Sequence, residues 1–130
     1  MILLGHRFIK SEPLYHIPDI DSIQNTPPSS TLYLMFNENN LDIVEHCRLN
    51  DIAFALHAIS ITEIIYAHAM DARFIVIPKE LAKTAQRIAN DYLFDAKILV
   101  QCDDEEDIEE LAIVGVDGII FSNGIVKINS

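Results

Sequence analysis

The stretch "DARFIVIPKELAKTAQRIANDYLFDAKILVQC", Asp71–Cys102, decides the fold. Its two ends are short, bulky and almost continuously apolar, which is how a strand buried on both faces reads. Between them, Leu81, Ala85, Ile88, Ala89 and Tyr92 recur at helical spacing. Strand, helix and strand in this order predict a βαβ unit, with parallel strands and a right-handed crossover.

The unit repeats. "DIAFALHA" from Asp51, "DARFIVIP" from Asp71, "DAKILVQC" from Asp95 and "DGIIFSNG" from Asp117 follow one another at spacings of 20, 24 and 22 residues. "TLYLMFN" from Thr31 is an earlier member of the series without its aspartate. Helix starts support the same division. "SITE", Ser60–Glu63, has the form of a capping box, Pro78 suits a first helical turn, and Asp103 and Asp104 suit the positive end of a helix dipole. Residues 8–30 hold four of the five prolines and no periodicity, and are read as an irregular connection with a short helix around Asp19–Gln24. The expectation is a single α/β domain over residues 1–130. Its sheet is mainly parallel and open, half-barrel-like, with five or six strands and flanking helices. A complete (β/α) barrel needs eight units and about 250 residues.

Composition narrows the function classes. Half of the 130 residues are hydrophobic and 22% are charged, a globular balance. Twenty acidic against nine basic residues give a formal charge of −11, which opposes binding to nucleic acid or to an anionic membrane surface. Cys47 and Cys102 stand alone without metal or redox spacing, and the opening "MILLGHRFIK" has an apolar stretch too short for an export signal or a membrane span. A cytoplasmic protein with reduced thiols is expected.

Asp104–Asn123, with its acidic helix start and "GVDGIIFSN" strand, resembles the C-terminal unit of the glycerophosphodiester phosphodiesterases. Gly5, His6 and Arg7 in "LLGHRF" match the His-Arg-Gly strand end that opens that family, with Phe8 in place of its glycine. The resemblance implies a metal-dependent site, whose Glu-x-Asp pair "TLYLMFN" lacks. Ile59–Pro78 is similar to one unit of the 2-keto-3-deoxy-6-phosphogluconate aldolases, which implies a Schiff-base lysine on the next strand. Lys97 stands at the wrong end of that strand, and Lys79 lies at the exit of the preceding one. Both resemblances fall on features shared by phosphate-binding (β/α) barrels, and together they cover about half the chain.

In parallel α/β sheets ligands sit beyond the carboxyl ends of the strands. The residues expected there include the weak catalytic candidates His6, His57 and Lys79, and the ligand-binding candidates Arg7, Asn37, Ser60 and Asn123. His6 and His57 could serve as acid and base, or with Asp103 as ligands for a divalent metal, although no cofactor is required by any motif. Against this, each histidine could simply satisfy a local backbone group, Cys102 could be an inert buried thiol, and the acidic run from Asp103 could be a solvated helix start. "SNG", Ser122–Gly124, reads either as a hairpin turn that makes the last strand antiparallel or as a ligand loop.

The reading of function is a non-catalytic or catalytically degenerate protein that self-associates, as a homodimer through an exposed sheet edge, and binds a small anionic metabolite at the strand exits. The alternative is a small aldolase-like lyase or a phosphodiesterase acting on a phosphorylated or carboxylated metabolite.

Overall fold

The apolar runs form parallel strands, and four helices each return the chain to the start of the next. The computed structural model describes residues 1–129. In chain order the elements are β1 (Ile2–Leu4), β2 (Leu14–His16), β3 (Thr31–Met35), α1 (Leu41–Leu49), β4 (Phe54–His57) and α2 (Ile61–Ala69). They continue with β5 (Phe74–Pro78), α3 (Ala82–Asp91), β6 (Lys97–Gln101), α4 (Asp107–Val114), β7 (Gly118–Ile120) and β8 (Ile125–Lys127). Every strand pairing is parallel, in the spatial order β1-β7-β6-β5-β4-β3-β2-β8. The parallel half-barrel with flanking helices is therefore the architecture, but its sheet has eight strands rather than five or six.

The extra strands lie where periodicity has no room to show. β2 and β8 have three residues each, and β2 sits inside the proline-rich stretch read as an irregular connection. That stretch also carries a 3-10 turn at Asp21–Asn25, close to the short helix expected there. A hairpin at Ser122–Gly124 is not formed. These residues make a 3-10 turn that preserves the chain's direction, and β8 pairs parallel with β2, Leu14 opposite Ile125.

This last pairing curls the sheet. β1 is held by β7 and β8 by β2, yet only four residues separate β7 from β8. The two ends of the sheet must therefore meet. They do so at Gly5, which has φ +82°; a Cβ there would lie 2.2 Å from the Gly124 nitrogen. Glycine is required on both counts, backbone conformation and backbone approach.

Alternation of side chains then makes two cores. Leu4, Leu14, Tyr33, Ala55, Val76, Leu99 and Ile120, one from each of β1 to β7, pack together inside the curl. The intervening residues, such as Leu34, Leu56, Ile75 and Ile98, pack outward against Ile43, Ile64 and Ala85 of the helices.

The aspartates that introduce the strands serve two purposes. Asp51 (φ +56°) and Asp71 (φ +69°) take the left-handed conformation just past α1 and α2, where Leu93 (φ +54°) and Gly115 (φ +89°) stand after α3 and α4. In each case the amide of the next apolar residue, Ile52, Ala72, Phe94 or Val116, donates to a carbonyl in the helix's last turn. This is the Schellman closure. Asp117 works one step later: its carboxylate accepts from the Ile98 amide at 2.8 Å and its amide donates to Gln86 Oε1 at 2.9 Å. Gln86, only 2% exposed, thus ties α3 to the β6–β7 pair.

Two stability changes are expected. Leu93 is 84% exposed, so Leu93→Gly removes left-handed strain without losing packing and should stabilise by about 1 kcal/mol, raising Tm by about 3–5 °C. Gln86→Ala leaves the half-buried Asp117 amide without its acceptor and should cost about 1–3 kcal/mol. Thermal and urea unfolding of both variants checks these values.

Candidate functional site

The layer above the inner core is the natural place for a site. Residues two beyond the inner-core positions share their face, so His16, Met35, His57, Pro78 and Gln101 crown the carboxyl end of the curl, with Lys127 beside His16. This mouth is chemically distinct from the aliphatic layer below it.

Tyr33 organises one side of the mouth. Its hydroxyl lies 2.8 Å from His57 Nδ1, and its ring meets the rings of both His57 and His16 edge-on. Burial pushes the Tyr33 hydroxyl up to about 12, so it stays protonated and can donate to Nδ1. That tautomer leaves the proton on Nε2 of His57. Burial lowers the His57 pKa, with Glu63 opposing, and burial together with Lys127 lowers that of His16. Both imidazoles are therefore neutral at pH 7.

The rim around the mouth holds paired charges. His6 is close to fully buried and sits edge-on to Phe121; its Nδ1 accepts from the Phe8 amide at 3.1 Å. The proton is then on Nε2, 2.8 Å from Glu105, which also binds Arg7. Lys79 Nζ lies 2.7 Å from Asp107 and 3.6 Å from Glu110. The Asp107 hydrogen bond leads the factors that raise the Lys79 pKa, whereas a Schiff-base lysine needs its amine deprotonated. Asp103 accepts from both the hydroxyl and the amide of Ser122, and these bonds lower its pKa. Burial raises the Cys102 thiol, and nearby aspartates oppose its ionisation further.

The other sequence candidates have structural duties. Ser60 caps α2 by accepting from the Glu63 amide, while Glu63 reaches back to the Ile59 amide, completing the capping box. Asn37 caps the 3-10 turn before α1 through the Asn39 amide. Asn123 is exposed on the Ser122–Gly124 turn, beside a shallow cleft lined by His6, Arg7, Asp103 and Glu105. No hydrogen bond joins His6 to His57: His6 follows β1, and in the sheet order three strands stand between β1 and β4, which carries His57. Among the described residues no group of three or more His, Cys, Asp or Glu side chains is placed to hold a metal ion.

His16, Tyr33, Gln101 and Lys127 were not among the expected site residues. The signal for Tyr33 and Gln101 lay in alternation along β3 and β6; for His16 and Lys127 the strands are too short to display one. The larger concavities lie at the opposite end, around Pro27–Thr31 and Asp51–Ala53. No helix among the described residues is long and apolar enough to cross a membrane.

No protein family matches this sequence, and no curated protein is significantly similar to it.

Because the unfolded chain binds protons at a histidine pKa of 6.5 and the folded His16 and His57 bind them only at lower pH, acid favours unfolding. Stability should be full above about pH 6.5 and fall as pH drops from there through the folded values. His57→Gln should flatten that slope relative to the parent, measured as urea midpoints across pH 7.5 to 4.5.

Proposed function

We propose that this chain is a non-catalytic α/β protein that binds a small anionic metabolite at the mouth of its curled sheet, above Tyr33. The observation that carries this reading is the position of Lys127: an exposed ammonium beside His16, over a layer that also holds His57 and Gln101. Among the described residues it pairs with no carboxylate, in contrast to Arg7 and Lys79, which are already matched to Glu105 and to Asp107 and Glu110. An anion here gains one charge-assisted contact and neutral imidazole donors, with the acidic rim limiting it to a small ligand.

The non-catalytic part of the reading is supported by the partners of each reactive group. Asp103 and Lys79 are held by neighbours that stabilise one protonation state, both ring nitrogens of His6 already have partners, and Cys102 is buried. A nucleophile with a free base beside it does not occur among the contacts of these residues. The buried free thiols Cys47 and Cys102 suit a reducing, cytoplasmic setting. Self-association belongs to the same reading, now through apolar surface rather than a sheet edge: Phe8, Ile59 and Met35 are 74%, 67% and 39% exposed around this end.

Titration of the protein with inorganic phosphate and with citrate, followed by calorimetry, tests the proposal. Saturable binding is expected, weakened about tenfold in Lys127→Ala, little changed in Arg7→Ala, and strengthened below pH 6.5 as the imidazoles gain protons. Absence of saturable binding, or equal loss in both variants, overturns it. Sedimentation velocity of the parent and of Phe8→Ser with Ile59→Ser reads self-association separately.

A further inference from the structure

The way the sheet closes leaves an opening in its wall. β1 pairs with β7 on one side only, and the end of β1 meets Gly124 just before β8 begins. β8 stands between β1 and β2 around the curl but begins beyond the point where β1 ends, and below it Leu4 of β1 comes together with Leu14 and Thr31 at the starts of β2 and β3. A pocket of about 500 Å3 occupies this seam. Leu4, Leu14 and Phe74, which belong to or pack on the inner core, line it together with Ser29, Thr31 and Arg73.

We propose that the seam pocket binds an apolar monocarboxylate, with its hydrocarbon part on Leu4, Leu14 and Phe74 and its carboxylate on Arg73. The volume falls in the range of small-molecule sites, and the lining is amphipathic, with Leu4, Leu14 and Phe74 on one side and Ser29, Thr31 and Arg73 on the other, which suits a ligand with one apolar and one polar end. Arg73 is the polar group best suited to a carboxylate, because a guanidinium presents paired donors to its two oxygens. Its present contacts leave it available: NH1 lies 3.4 Å from Thr31 Oγ1, the guanidinium stands 5.5 Å from the Phe74 ring centroid, and among the described residues it pairs with no carboxylate. The wall opposite is the loop Pro27–Ser30, where Ser29 is held at φ +64° without being glycine. Such a conformation persists only where surroundings impose it, and here it shapes the pocket's polar side. Glu12 is the one acid among the lining residues, exposed at the rim. It repels an anion, which makes its removal informative.

The test is titration of methyl-labelled protein with butanoate, hexanoate and octanoate, followed by NMR. Saturable shifts of the Leu4 and Leu14 methyl groups are expected, with affinity rising about threefold to fourfold per added methylene. Arg73→Gln, an exposed change that leaves the core intact, should weaken octanoate about tenfold, and 1-octanol should bind more weakly than octanoate to the parent. Glu12→Gln should tighten octanoate severalfold, and Lys127→Ala should leave it unchanged, which separates this site from the mouth. Unshifted Leu4 and Leu14 methyls, affinity independent of chain length, or equal affinity in Arg73→Gln overturns the proposal.

Discussion

The contact between Gly5 and Gly124 is the constraint on which the rest of the molecule depends. Two backbone segments approach closely enough that no side chain fits between them, and this lets β8 run on from β7 to pair with β2. A parallel sheet with free ends would leave unpaired edges and an unfilled concave face. Drawing the ends together places one side chain from each of seven strands in a common inner core. It also explains how 130 residues support a barrel-like interior, when a full (β/α) barrel takes about twice as many. Only four helices are needed because β1, β2 and β8 enter the sheet without helical crossovers.

Closure also sorts the charges. Helix starts gather at the carboxyl ends of the strands, and acids such as Glu63 and Asp107 accompany them. Asp107 and Glu110 engage Lys79, and Glu105 engages His6 and Arg7. The cations that sequence position makes conspicuous are thereby neutralised, while Lys127 stands on β8, away from any helix start. The imidazoles of the mouth are governed by burial instead, since Tyr33 and the inner core lie directly beneath them.

The βα repeat was legible because buried parallel strands are nearly continuous apolar runs, and because helix ends have local chemistry. The Ser60–Glu63 capping box formed as the residues dictate. The repeated aspartates were visible too, although their roles were not: Asp51 and Asp71 close helices, whereas Asp117 joins Gln86 and Ile98 across elements. Gln86 carries no comparable local signal. Its burial depends on β6 and β7 lying against α3, which no local pattern encodes. Tyr92, counted on the helical apolar face, is 75% exposed because α3 ends at Asp91 and the chain turns away.

By itself the sequence determined the class of fold, the four helical crossovers, the acidic character and the caps, since each follows from composition or from residues within one turn of each other. The tertiary structure alone decided the strand count, the direction of β8 and the makeup of the mouth. His16, Tyr33, His57 and Lys127 come from four strands spread over more than a hundred residues. What brings them together is the pairing of β8 with β2, and a pairing between three-residue strands is decided by the geometry of the closed sheet, not by any signal within the strands themselves.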